Sequence, residues 1–504
     1  MPLSSAINQY CSRPAGEAPR TAYVRPWALA APILILLICI PLLRPLRHPD
    51  PRLMSDDEQS RLATVQALVE GRTLAIENTD FAETRDKVAV GSHLYSSQPP
   101  MFAVLLSGPY WVLHRMGLNL GRDSAWAAFW LTLLGVTLPV ALSAGLVYRM
   151  GRLFELRRPL RAGLGLAVVV GSGLLSYGTV LNAHAPAAAL LLAATACLFH
   201  VTLIKAERTG VAWLALSGLC ASLAACIDPP AAIFLVLLLP VAAALGWPRS
   251  RKMMGLGAYV LAAMLPIAGH AMLVRPITGD LRPGIFHPEL MADSTGGSWF
   301  GHRGHSSRLL ALLKLTPAHT LNKSVADSEV DEDETPGFWP ALARKSLRVL
   351  EAFTGPHGIF SHFPVVLIGI IGVSMVMHRH WPMTTKIMAA ATLAGAGVVI
   401  VVYALIRQDV PESMFATPWF VVFLPLVLFW AGVWLRRPHH QAVWIAASVL
   451  LLFSVFASLL GATGPSPRDG FDRYSIVQAI ENLRKAPPTA QLPPILADRR
   501  LDPD

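Results

Sequence analysis

The sequence predicts an all-α polytopic membrane protein, a bundle of about eleven transmembrane helices with interfacial helices in the loop after the first span. Three observations predict it. Of 504 residues, 53% are hydrophobic and only 15% are charged, where a soluble globular chain carries about 25% charged residues. The mean hydropathy is +0.48. The apolar residues come in runs of roughly 17–25, the length that crosses a bilayer core as a helix. These runs fall at 27–45, 123–148, 162–181, 186–204, 211–227, 230–246, 254–274, 358–378, 384–406, 414–435 and 441–462.

The first span follows about 25 polar residues, and no small-residue cleavage site comes after it. It reads as a retained span rather than a signal peptide. The net charge of +10 does not point to nucleic acid, because the positive residues sit in short clusters between the spans, as in loops obeying the positive-inside rule. The segment 99–116, "PPMFAVLLSGPYWVLHRM", is apolar but short and holds Pro109. If it does not cross, Arg149, Arg152, Arg157, Arg158, Arg161, Lys205, Arg208, Arg249, Arg251, Lys252, Arg379, Arg436 and Arg437 share a side with Arg13, Arg20 and Arg25 of the N-terminal tail. If it crosses, every later loop flips and the rule fails. It therefore reads as an interfacial or re-entrant helix, with the N-terminus cytoplasmic and the C-terminus extracytoplasmic.

This topology divides the chain into a cytoplasmic tail (1–26), a membrane domain (27–462) and an extracytoplasmic tail (463–504). The outer face receives a first loop at 46–122, a long loop at 275–357 and a polar turn at 406–413. Within the C-terminal tail, "DRYSIVQAIENLR" (472–484) aligns Ile476, Val477, Ile480 and Leu483 on one face and predicts a small docking helix. The acidic run 327–334 lacks the glycine and ligand spacing of a calcium loop. Four of the five cysteines, Cys39, Cys197, Cys220 and Cys226, fall in spans and Cys11 in the N-terminal tail, so no disulfide framework is expected.

The first loop opens with "SDDEQSRLATVQALVEGR" from Ser55 to Arg72. Ser55 or Asp56 can cap a helix from about Asp57 to Val69. Leu62, Val65, Leu68 and Val69 form its apolar stripe, suited to lying on a membrane. Asp57 and Arg61 stand i, i+4 and can pair. Taken alone, the three acids can be explained as caps that favour the positive end of the helix dipole. Further along, Asn182 and His184 of "LNAHAPAA" and Asp228 of "CIDPPAA" stand at outer ends of spans, where polar groups face protein or water by default. Asp228 can also cap the helix opened by Pro229 and Pro230. His302 and His305 have metal-like spacing without two further ligands, so no metal site is predicted.

The order of elements resembles the first extracytoplasmic loop of GT-C glycosyltransferases, in particular the family 39 group of protein O-mannosyltransferases and lipid A aminoarabinose transferases. The matching elements are the Asp57–Glu58 pair after the first span, the amphipathic helix ending in "ALVEGR", the polar "YSSQPP" and the apolar helix after it. The motif-level likeness covers about 54–116, and the layout about 27–250. The resemblance implies a GT-C-like bundle and an enzyme that passes a sugar from a polyprenyl-phosphate carrier to an acceptor on the outer face, with inversion. It implies Asp57 as the general base. Arg303, Arg308, Arg407 and Lys87 are candidate cations for the leaving phosphate, and Asp56, Glu58, His93, Gln98, Asn182, His184 and Asp228 are candidate substrate contacts. Many members of the family have a basic residue before the paired prolines, where this chain has Gln98. His93 is the nearest alternative for a phosphate contact. No cofactor follows from the sequence, although lone carboxylates with a donor phosphate can hold Mg²⁺ or Mn²⁺. Competing readings are a transporter or lipid flippase, which would show repeat symmetry and broken mid-membrane spans, and an inactive scaffold of the same fold.

Overall fold

The structure is a computed structural model that describes residues 26–47, 54–204, 207–245, 248–287, 290–291, 338–406, 414–465 and 474–485. Among the described residues, eight helices are long and apolar enough to cross a membrane. In chain order the helices are α1 (Pro26–Arg47), α2 (Asp56–Gln66), α3 (Pro100–Arg115), α4 (Ser124–Phe154), α5 (Arg158–Val170), α6 (His184–Thr202), α7 (Gly210–Ile227), α8 (Pro229–Ala243), α9 (Arg249–Thr278), α10 (Ser346–His362), α11 (Val366–Met377), α12 (Met383–Leu405), α13 (Pro418–Leu435), α14 (Gln441–Ala462) and α15 (Ser475–Lys485). The chain is a multi-pass, helical membrane protein, as its composition predicts.

Of the eleven runs, eight form long helices among the described residues, or nine if the bent pair at 346–377 is one span; the other runs are interrupted. The run at 162–181 ends as α5 at Val170, and Gly173 then adopts a φ of 76°, a conformation glycine enters at little cost. The run at 230–246 yields only the short α8. The run at 358–378 is divided between α10 and α11, which meet at 99°. Elsewhere the packing is close. α7 lies along both α6 and α9, and a methyl group on Gly218 would stand 2.2 Å from the Tyr259 carbonyl oxygen. Small residues permit such backbone approach where apolar burial gives no drive between helices. α9 has 30 residues and is therefore about 45 Å long, which exceeds a hydrocarbon core of about 30 Å. That length is enough for both ends, with Arg249 and Arg275, to reach past such a core.

Two arginines at the end of α1 gather distant parts of the chain. Arg47 donates to the carbonyls of Ala462 and Thr463 at the end of α14. The backbone N–H of Arg44 donates to Thr179 at 3.0 Å. The end of α1, the turn before α6 and the end of α14 thus share one end of the bundle. Glu155 and Arg436 pair at 2.5 Å between the loop after α4 and the end of α13.

The one sheet among the described residues is a hairpin that the sequence reading did not foresee. β1 (Lys87–Val90) pairs antiparallel with β2 (His93–Ser96), with Lys87 opposite Ser96 and Val90 opposite His93. Gly91, at a φ of 61°, turns the chain in the two-residue connection that suits strand twist. The prolines then start α3, with Pro100 in its first turn, where a missing N–H costs nothing.

Candidate functional site

Ser55 caps α2, and the cap is a capping box. The Ser55 hydroxyl accepts from the Glu58 N–H, and the Glu58 carboxylate accepts the Ser55 N–H at 3.1 Å. The helix starts where the sequence places it. Its apolar stripe faces protein, with Leu62 and Val65 fully buried, in place of the expected repose on a membrane surface.

The three acids at the head of α2 have three different surroundings. Asp56 faces outward and holds Arg85, whose Nη2 lies 2.7 Å from its carboxylate. Glu58 faces inward and is sealed. Its side chain pairs with Arg44, both groups being nearly inaccessible, and its second oxygen accepts the Leu181 N–H at 3.1 Å. A buried charge needs full compensation of this kind. Asp57 lies between them. Its carboxylate is 2.5 Å from Arg61 Nη1, and its side chain keeps 14% of its exposure. The i, i+4 pair expected from the spacing is therefore formed.

Arg61 also reaches across to the hairpin. Its Nη2 donates to Gln98 Oε1 at 2.9 Å, and the Gln98 amide donates to Asp86 Oδ2 at 2.7 Å. The Ser97 hydroxyl donates to the other Asp86 oxygen. Ser60, one residue before Arg61, bonds the Asp86 carbonyl and the Ser96 hydroxyl, each at 2.6 Å. The hairpin register brings Asp86 opposite Ser97, although eleven positions separate them. Enclosure, and after it the Asp57 carboxylate, push the Asp86 carboxyl up to about 7; Ser97, Gln98 and Arg61 oppose the rise.

A small, open cleft of about 20 Å³ adjoins this network, lined by Thr64, Tyr95, Ser96 and Gln98 and by Val274 and Thr278 of α9. Arg275, exposed, belongs to the same stretch of α9.

Asn182 and His184 are both buried. Asn182 accepts the Ala185 N–H at 2.9 Å, which caps α6. His184 Nδ1 lies 2.7 Å from Asp228 Oδ2, with both side chains under a tenth exposed. Asp228 therefore serves an imidazole, and its side chain does not cap the turn opened by Pro229. The Glu58–Leu181 bond ties this turn to α2, so the Asp57 helix and the His184–Asp228 pair are neighbours in the fold. His93 is more than half exposed and pairs with Glu77 at 2.6 Å. Lys87 donates to the Ala82 carbonyl at 2.9 Å. Arg303, Arg308, Arg407, His302 and His305 lie outside the described residues. Among the described residues, no three His, Cys, Asp or Glu side chains converge as metal ligands would.

Sequence reasoning missed Asp86, Ser97, the second bond of Arg61, and Arg275. The signal for Asp86 was the "KVAVGSHLYS" alternation around Gly91, which marks a hairpin and hence a partner for the residue just before it.

No protein-family model matches the chain, and no curated protein matches it. Solved structures do. The oligosaccharyltransferase of Archaeoglobus fulgidus in its apo form superposes with a TM-score of 0.50 at 12% identity, over 89% of this chain and 57% of that one. The fold of this chain is similar to that of this oligosaccharyltransferase. The oligosaccharyltransferase AglB from Archaeoglobus fulgidus, in complex with an inhibitory peptide and a dolichol-phosphate, gives a TM-score of 0.48 at 12% identity over 88% and 56%. Tethered to an acceptor peptide, it gives 0.44 at 13% over 93% and 58%. The chain thus spans a little over half the length of the oligosaccharyltransferase structures it is similar to. At such identities the likeness concerns the fold.

Proposed function

We propose that this chain transfers a sugar from a polyprenyl-phosphate donor to an acceptor on the extracytoplasmic face of a cell membrane, with Asp57 as general base. The observation that carries this reading is the position of Asp57 within the GT-C fold. It is the acid of α2 that is neither sealed inside nor turned outward, and Arg61 holds it beside the cleft network.

In this reaction the acceptor oxygen bonds to the anomeric carbon as the bond from that carbon to the donor phosphate breaks. The acceptor proton passes to the Asp57 carboxylate, and polyprenyl phosphate leaves. Inversion follows when nucleophile and leaving group occupy opposite faces of the sugar. The departing phosphate gathers charge and needs a cation placed in advance. Arg275 is our candidate among the described residues, beside Arg303 and Arg407 from the segments outside them. Gln98, already committed to Arg61 and Asp86, organises the base in place of the basic residue that family 39 carries there. Glu58 anchors the helix, and the His184–Asp228 pair shapes the neighbouring wall. The AglB structures named above hold a dolichol-phosphate in one case and an acceptor peptide in another; a lipid-phosphate donor and a separate acceptor are proposed for this chain by analogy. The proposed orientation keeps residues 1–26 cytoplasmic and the loops at 46–122 and 275–357 outside.

The test is transfer by purified protein in lipid, with a panel of labelled polyprenyl-phosphate sugars and an envelope extract as acceptor. Transfer by wild type that is lost in Asp57→Asn, with the fold retained, supports the reading. Equal transfer in both removes Asp57 from the mechanism. Failure to bind any carrier lipid turns the reading to a transporter or a scaffold.

A further inference from the structure

Two carboxyls of the site share one guanidinium. Arg61 contacts Asp57 directly and reaches Asp86 through the Gln98 amide. An amide placed in this way has a fixed sense. Its oxygen faces a donor and its nitrogen faces an acceptor, so Gln98 holds only while Asp86 presents an oxygen. Ser97 and Ser60 fasten Asp86 from both sides. The remaining charged groups nearby are already engaged. Arg85 is paired with Asp56, and Lys87 with a backbone carbonyl. The segment that packs on Ser97 through Ile285 brings Asp280, Arg282 and His287, which pair with one another.

We propose that Asp86 is the positioning carboxyl of this site, fixing the side chain of Asp57 through Gln98 and Arg61. The proposal builds on the transfer reading above, in which Asp57 must hold one orientation toward an acceptor hydroxyl. Burial and the neighbouring Asp57 carboxylate raise the Asp86 carboxyl, so Asp86 is a carboxyl of the cluster that takes up a proton. Asp86 holds that proton until the pH approaches neutrality. Geometry at Asp57 and charge at Asp86 are thereby coupled, as they are in any carboxyl pair whose members are driven apart.

The experiment is an infrared titration of the carboxylic-acid stretch of the full chain in lipid nanodiscs, for wild type, Asp86→Asn and Asp57→Asn. Wild type is expected to show one acid band that titrates near pH 7, absent in Asp86→Asn and shifted to lower pH in Asp57→Asn. The inference is overturned if wild type lacks that band, or if Asp57→Asn leaves its titration unchanged. Where transfer is measured, Asp86→Asn is expected to lower kcat about tenfold with KM nearly unchanged and to flatten the pH dependence near neutrality, a loss of orientation and not of binding. Unaltered kcat and pH profile would also overturn it. A coupled titration together with transfer that ignores Asp57 would leave the pair standing and remove the proposed base.

Discussion

Glu58 and Asp57 are neighbours in sequence, carry the same charge and belong to the same helical turn, yet they occupy opposite kinds of place. Glu58 faces a junction of α1, α2 and the turn before α6, where Arg44, Ser55 and Leu181 satisfy its oxygens. Asp57 faces the hairpin, where its cation is shared with a second network and some of its surface stays open. Complete satisfaction makes a group rigid and inert. Partial satisfaction beside a cleft leaves a group able to accept something from outside. In the proposed reading, one acid places the other.

That contrast can be broken from either side. Glu58→Ala should have the largest effect on the molecule itself, because it removes a buried partner of Arg44 and of the Leu181 N–H. Breaking such a pair costs about 3–5 kcal/mol, visible as a lowered unfolding midpoint and poor recovery in detergent. Asp57→Asn should do the reverse. Its unfolding midpoint should stay close to wild type, while transfer falls by about 10²–10⁴-fold, the usual contribution of a positioned base. If Asp57→Asn unfolds the protein as readily as Glu58→Ala does, the contrast is lost.

A smaller effect should appear in the pH dependence of stability. Asp86 holds its proton more tightly when folded than when unfolded. Its contribution to stability is then full below the ordinary aspartate range of about 4 and is lost as pH rises through about 7. Asp86→Asn should flatten the fall in unfolding midpoint between those values. The smallest effect is expected at His93, whose pair with Glu77 is largely exposed. His93→Ala should change stability by less than about 1 kcal/mol and transfer by less than about twofold, measured in the same assays.

Local signals carried the reading of α2 a long way. The Ser55 cap and the Asp57–Arg61 spacing are properties of a few adjacent residues, and both are formed. The docking helix expected at 472–484 is present as α15. What escaped is non-local. Asp86 is an ordinary loop aspartate until the hairpin carries it to Ser97 and Gln98. His184 and Asp228 were each chosen for standing at the end of a span, but nothing in either neighbourhood announced that they meet across 44 positions. The interruptions near Gly173, in the short α8 and between α10 and α11 were hidden for another reason. Hydropathy reports that a run is apolar, not that it is straight.

The carbonyls that receive Arg47 lie about 415 residues further along the chain. A ribosome adding roughly 5–20 residues each second takes on the order of 20–80 s to cover that distance. Throughout that interval the newborn protein carries a charged side chain with its local partner, the Leu42 carbonyl, but without its two distant ones. Arrival of the last long helix is therefore the moment at which the beginning of the molecule is finished, and a ribosome stalled before Ala462 leaves Arg47 for the insertion and quality-control machinery to handle.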